Sequence, residues 1–183
     1  MKKVDLAKFD NSDFYPGASV IKRLVWYFIN ILFFINPLNP SSKLKIVLLK
    51  SFGAIVAGGV VIKPNVNIKY PWFLEIGENS WIGEKVWIDN LCDVRLGANV
   101  CISQGALLLT GNHNYKKESF DLITGKIEIE DGVWVGAKSV ITGGVKLKSH
   151  SIITAASVVS YDTEPYFIYK GNPAEKIRKR EID

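Results

Sequence analysis

The chain is predicted to fold as a mainly β solenoid of short stacked strands, with helices attached at its ends. Three observations carry this. From Ile129 to Val159 the sequence repeats every six residues: Ile129, Val135, Ile141, Leu147, Ile153 and Val159 are all aliphatic. Four places after each of the first five stand Val133, Ser139, Val145, Ser151 and Ser157, all small or β-branched. The same pattern runs earlier in shorter blocks, through Val56, Ile62 and Ile68, then Ile76, Ile82 and Ile88, then Leu96, Ile102 and Leu108. A period of six fits neither a helix nor simple strand alternation. It fits a strand, a turn and another strand, stacked so that each coil buries its apolar side on its neighbours.

The N-terminal segment, residues 1–52, is read as helical. Met1 to Asp13 is mostly polar, and no small-residue cleavage site follows the next apolar run, so no signal peptide is expected. That run, Leu24–Ile35, holds twelve residues with a single asparagine. A spanning helix needs about 20, so this one is too short to cross a bilayer. Pro37 and Pro40 end it. Two placements stay open. The helix packs on the solenoid or a neighbouring subunit, or residues 20–36 lie at a membrane surface with Lys22 and Arg23 among the headgroups. A second helix is expected over Ser42–Phe52, with Leu44, Val47, Leu48 and Phe52 inward and Lys43, Lys45 and Lys50 outward.

The solenoid is expected over residues 53–168. The aliphatic residue of each hexad fills the interior, and the small residue leaves room at a narrow corner. Glycine follows the aliphatic position at Gly77, Gly83, Gly97 and Gly136, which predicts positive φ at tight turns. Lys69–Phe73 interrupts the pattern. The long interruption lies between Leu109 and Ile127, and its loop, residues 110–126, reads TGNHNYKKESFDLITGK. Loops set on a rigid scaffold are where function concentrates. This one carries His113, a residue able to take a proton near neutral pH while a carbonyl or carboxylate holds its other nitrogen. A solvated loop histidine would show the same spacing. His150 sits within a hexad and reads as structural or solvent-facing. Trp134 precedes an interior residue and so points outward, as a subunit contact or a ligand wall; Trp72, Trp81 and Trp87 pose the same question. Residues 169–183 end in KGNPAEKIRKREID, read as a turn and a short basic helix whose Lys176, Arg178, Lys179 and Arg180 suit phosphates or plain solvent.

Composition narrows the function. The 183 residues are 48% hydrophobic, enough for one well-filled domain. The net charge of +5 is modest and has no long basic run, which argues against nucleic acid as a partner. Cys92 and Cys101 are the only cysteines. Without metal-like spacing they read as reduced thiols, consistent with a cytoplasmic location, peripheral to the inner face of the membrane if the apolar helix lies on lipid. No metal-ligand cluster is legible.

Taken together, the hexads, the TGNH loop, the DGVWVGAKSVI return, the AASVV stretch and the GNPAEKIRKR ending resemble the hexapeptide-repeat acyltransferases. More narrowly they resemble the maltose and galactoside O-acetyltransferase group. The LVWYFINILFFINPLNP helix, the FGA at Phe52–Ala54 and YPWFLEIGENSWIGEKVWIDNL resemble the colanic acid biosynthesis acetyltransferases. The resemblance spans about residues 20 to 180 and implies a left-handed parallel β-helix, a hand that spacing alone does not give. It implies a homotrimer with active sites between subunits, acetyl-CoA as donor, a sugar hydroxyl as acceptor and no metal. By motif it makes His113 the catalytic histidine and places Asp89 and Asn90 at the acceptor. It sets Trp134 along the pantetheine, Ala137, Ala155, Ser160 and Tyr161 on CoA, and Arg178 near the phosphates. Glu175 stands where the galactoside enzymes carry a basic residue. The apolar helix replaces the polar segment that helps close the acceptor site in the maltose-type enzymes. A different acyl-CoA donor and a non-catalytic trimeric scaffold are the competing readings. A zinc-dependent hydratase on the same solenoid would need more histidines than His113 and His150.

Overall fold

The computed structural model describes residues 3–183; Met1 and Lys2, the start of the predicted N-terminal segment, lie outside the described residues. The chain winds as a left-handed parallel β-helix with three flat faces. The first face stacks Ile55–Val56, Leu74–Ile76, Val94–Leu96, Ile127–Ile129 and Lys146–Leu147. The second stacks Val61–Ile62, Trp81–Ile82, Cys101–Ile102, Trp134–Val135 and Ile152–Ile153, then a terminal hairpin. The third stacks Asn67–Ile68, Trp87–Asp89, Leu107–Leu109, Val140–Thr142 and Val158–Val159. All pairings between coils are parallel and in register, such as Trp81 with Cys101 and Cys101 with Trp134.

The hexads explain the interior. Ile62, Ile82, Ile102, Val135 and Ile153 point inward from the second face, each no more than 1% exposed. Fully burying such a side chain contributes about 1.5–3 kcal/mol. The small residues sit at the corners, where Ser80, Ser139, Ser151 and Ser157 are fully buried. Their hydroxyls are satisfied there: Ser80 Oγ donates to Gly97 O at 2.8 Å and accepts from Val100 N at 3.0 Å.

The glycine expectation is corrected. Gly77, Gly83, Gly97 and Gly136 do not adopt positive φ; Asn79, Lys85, Asn99 and Lys138 do, two residues further on. Close approach is what these glycines serve. A Cβ on Gly77 would meet Gly97 C at 2.4 Å, and one on Gly136 would meet Ala155 N at 2.6 Å.

The first coil would leave open strand edges, and the two helices close them. Helix α1, Val20–Ile29, starts at Ser19, whose side chain accepts from Lys22 N. It continues into a wider π-type turn over Asn30–Ile35. Its Trp26 Nε1 donates to Ile68 O at 2.8 Å, and Asn30 Nδ2 donates to Asn67 Oδ1 at 2.7 Å. Helix α2, Ser42–Ser51, closes the second face: Ser42 Oγ both donates to Ile62 O and accepts from Ile62 N. Lys45 points inward, contrary to its expected outward position, and is fully buried, while Leu44 and Val47 are exposed. The physical reason is a cluster of carbonyls: Lys45 Nζ donates to Asn39 O at 2.8 Å and Lys63 O at 3.1 Å. Burial pushes its pKa down. Lys45→Met is expected to lower stability by about 1–2 kcal/mol by leaving buried carbonyls unpaired, read as a shift of the urea unfolding midpoint at unchanged slope.

The predicted C-terminal basic helix is absent. Phe167–Gly171 and Ala174–Lys179 form an antiparallel hairpin across Asn172–Pro173. The upper edge of the second face offers a ladder to Phe167–Gly171, whose Ile168 and Tyr169 pair with Ile152 and Ile153. The turn folds the last strand back onto Phe167–Gly171, and its one buried residue, Ala174, anchors it. A six-residue helix would have little intrinsic stability by comparison.

Candidate active site

The loop that breaks the hexads leaves the corner between the third and first faces. Thr110 roots it, with Gly125 N donating back to Thr110 O at 2.9 Å. Above the root, Gly111–His113 pairs antiparallel with Leu122–Thr124, so the excursion is a hairpin.

His113 sits at the end of that hairpin, half-buried. Its Nδ1 lies 2.9 Å from Phe120 O. A carbonyl only accepts, so Nδ1 carries the hydrogen and the neutral ring presents a lone pair on Nε2. The Phe120 ring stacks on the imidazole at 4.5 Å with an 8° tilt, and Phe9 closes from another side at 5.9 Å. Phe120 adopts a φ of 53°, a left-handed conformation uncommon outside glycine. Strained backbone of this kind costs about 1–3 kcal/mol and is retained where the surroundings impose it. The arrangement fixes the ring and frees one nitrogen, which is what a general base for a hydroxyl needs.

The N-terminal residues strap the loop down. Asp5 N donates to Glu118 O at 2.9 Å, and Lys8 Nζ pairs with Glu118 Oε1 at 2.7 Å. Asp10, Asp13, Asn114 and Asp121 line a cavity of about 290 Å³ between strap and loop. The hydrogen bond from Lys117 holds the Asp121 carboxyl below its usual range, and the Ser12 backbone N–H does the same for Asp10.

Asp89 and Asn90 lie at the same corner one coil below. Thr110 Oγ1 donates to Asp89 O at 2.9 Å and accepts from Leu91 N at 2.8 Å, tying the loop root to them. Asp89 is 9% exposed, and its Oδ1 forms an ion pair with Lys69 Nζ at 3.0 Å, outside hydrogen-bond alignment. Asn90 is fully buried; its amide donates to Tyr70 O and accepts from Tyr70 N. These two bonds fix the bend at Tyr70 and leave the amide its second hydrogen.

The remaining candidates sit elsewhere on the chain. Trp134 stands outward on the second face, 46% exposed, its Nε1 donating to Ser103 Oγ at 2.8 Å. Ser103 and Cys101 line a groove of about 280 Å³ beside it with Trp81 and Lys63. Burial pushes the Cys101 thiol up, away from nucleophilic reactivity. Ala137 and Ala155 occupy the corner between the second and third faces in successive coils, with Ala156 N donating to Ala137 O. Ser160 and Tyr161 follow the last strand of the third face, and Tyr161 Oη donates to Ala174 O. Arg178 is exposed on the terminal hairpin. Asp89, Asn90 and the root of the His113 loop therefore share one corner, and Trp134, Ala137 and Ala155 gather at another. The third face separates the two groups within one chain.

Phe120, Ser103 and the strap residues Asp5, Lys8 and Phe9 carry no motif that sequence reasoning finds. Phe120 acts through its backbone, which no residue type announces. His150 is structural: it stacks on Tyr166 at 4.7 Å, and its Nδ1 meets Ser149 Oγ.

No family model matches the chain. The chain is 30% identical over 176 residues to the putative colanic acid biosynthesis acetyltransferase WcaF of Escherichia coli, covering 96% of this chain and 97% of that one. It is similar in structure to a galactoside acetyltransferase in complex with coenzyme A, with a TM-score of 0.77, 25% identity, and 88% and 82% of the two chains covered. The fold is also that of a hexapeptide-repeat acetyltransferase of Vibrio cholerae complexed with acetyl coenzyme A, with a TM-score of 0.79, 22% identity, and 97% and 98% covered. Full-length similarity to the Escherichia coli protein, the three-faced coil and the histidine hairpin lead to one conclusion: this chain belongs to the hexapeptide-repeat acyltransferases.

Proposed function

We propose that the protein is an acetyl-CoA-dependent O-acetyltransferase acting on a sugar hydroxyl in exopolysaccharide or other surface glycan synthesis. It works as a homotrimer whose active sites lie between subunits. The observation that carries this is His113, stacked on Phe120 with its Nδ1–H held by the Phe120 carbonyl. The division of candidate residues between two corners supports the shared site: the histidine corner of one subunit would face the Trp134, Ala137 and Ala155 corner of the next.

In the proposed reaction Nε2 of His113 takes the proton of the acceptor hydroxyl as its oxygen attacks the thioester carbonyl. The tetrahedral oxyanion is stabilised by backbone N–H groups or by the Asn90 amide, one hydrogen of which is engaged with Tyr70 O. The carbon–sulfur bond then breaks, and the CoA thiolate takes the proton back from the imidazolium. Asp89 and Lys69 provide polar contacts at the acceptor end. Trp134 packs along the pantetheine, with Ala137, Ala155, Ser160 and Tyr161 beside the cofactor and Arg178 at its phosphates. No metal takes part.

Trp134→Ala is expected to raise KM for acetyl-CoA about tenfold with kcat nearly unchanged, the signature of lost binding shared by ground and transition states. Steady-state kinetics on the folded variant checks it. The reading as a whole is tested by free-thiol release from acetyl-CoA against a panel of free, nucleotide-linked and lipid-linked sugars. Acceptor-dependent release supports it. Absence of both release and saturable CoA binding would overturn it in favour of a scaffold.

A further inference from the structure

We propose that α1 and the π-type turn after it form a docking surface for an anionic lipid bilayer, so that the enzyme works while lying on a membrane. One side of this element is spent on the solenoid, through Trp26, Asn30 and Phe34. The other side is apolar and open. Ile21, Val25, Phe28 and Leu32 follow helical spacing and are 75%, 46%, 60% and 58% exposed. Val20, Leu24, Tyr27 and Ile31 widen the stripe. An unbroken apolar strip of this kind is rare on a free surface and marks an interaction face. No helix among the described residues is long and apolar enough to cross a membrane, so contact is with the surface of the bilayer.

Charge selects the occupant. Residues 14–74 contain Lys22, Arg23, Lys43, Lys45, Lys50, Lys63 and Lys69 and no Asp or Glu at all. In the rest of the chain the other 16 basic residues are outnumbered by 18 acidic ones. Lys45 is buried and Lys69 pairs with Asp89, which leaves Lys22 and Arg23 on α1 and Lys43, Lys50 and Lys63 in the chain that follows it, with no carboxylate among them. Pairing that segment with its own copy sets cations against cations, whereas a bilayer rich in anionic lipid attracts them. Arg23 adds a specific feature, because its Nε is buried without a hydrogen-bond partner among the described residues. It lines a cavity of about 440 Å³ together with Lys69 and Trp87 and with Val20, Leu24 and Ile31 of the stripe. The stripe and the cavity thus share lining residues, with a cation in the cavity wall.

The test is co-sedimentation of the full chain with vesicles of phosphatidylcholine alone or mixed equally with phosphatidylglycerol. Wild type is expected to partition onto the anionic vesicles at least about tenfold better, and several-fold less at roughly 0.5 M salt, where charge is screened over a few ångströms. The triple variant I21E/F28E/L32E alters only exposed side chains outside the cavity. It should lose vesicle binding about tenfold or more while keeping its circular dichroism spectrum and CoA binding. Wild type that ignores both vesicle types, or a triple variant that binds as well as wild type, would overturn the proposal. So would a triple variant whose sedimentation-velocity mass falls while wild type binds no vesicles, since the stripe would then be a contact between copies. None of these readouts requires acetyl transfer, so failure here is separable from failure of the proposed reaction.

Discussion

His113→Ala is expected to lower kcat by 10²–10⁴-fold while leaving acetyl-CoA affinity within about twofold of wild type. A positioned base typically contributes a rate factor of that size. The affinity should survive because the imidazole sits on the loop hairpin, with its ring engaged by Phe120 and Phe9, while the proposed cofactor contacts lie at the corner of Ala137 and Ala155. His113→Gln separates positioning from proton transfer, because its amide can still donate toward the Phe120 carbonyl but takes no proton at neutral pH. It should be as slow as alanine. Titration calorimetry with CoA alongside steady-state kinetics makes the comparison. Equal loss of binding and turnover would mean the residue holds the loop and not the reaction.

Gly136→Ala is expected to destabilise the protein by about 3 kcal/mol, the upper part of the range for overpacking. Its added carbon would meet Ala155 N at 2.6 Å and Ile153 O at 2.7 Å. Both belong to the backbone of the next coil, so no side chain can rotate away. The coils would have to part locally, which weakens the bonds Gly136 N to Ile153 O and Trp134 N to Ser151 O. For a chain of this size about 2–4 °C of Tm is lost per kcal/mol, so a drop of about 6–12 °C by thermal denaturation is the expected readout. Gly58→Ala is the control, since a Cβ there meets nothing within 4 Å. The pair separates a packing cost from a general loss on replacing glycine.

The solenoid was legible because its signal is periodic. Each hexad aliphatic from Val56 to Val159 faces the same interior, so one pattern specifies the faces, the corners and the places where the chain departs from them. The His113 loop was legible for the converse reason, as the longest break between hexads. What escaped was whatever depends on neighbours in space. Lys45 reads as a solvated lysine until Asn39 and Lys63 turn carbonyls toward it. Residues 169–183 read as a turn and a basic helix until Phe167–Gly171, laid on the edge of the second face, offers Ala174–Lys179 a ladder. Gly136 reads as a turn glycine, but its reason is the coil above. Nothing in the sequence announces that Asn90 holds the Tyr70 backbone through two hydrogen bonds. The restraint on His113 comes from a backbone carbonyl seven residues away, and no side-chain pattern encodes that.

In the proposed reaction His113 moves the proton in an acetyl transfer to a sugar hydroxyl. The most direct measurement is the mass of the acceptor after incubation with acetyl-CoA and the protein, set beside the same incubation with His113→Ala. Wild type should add one acetyl group, held as a base-labile ester, and the variant should form it over a hundredfold more slowly. An acceptor acetylated equally fast by both proteins, or acetylated on nitrogen and stable to base, would contradict it.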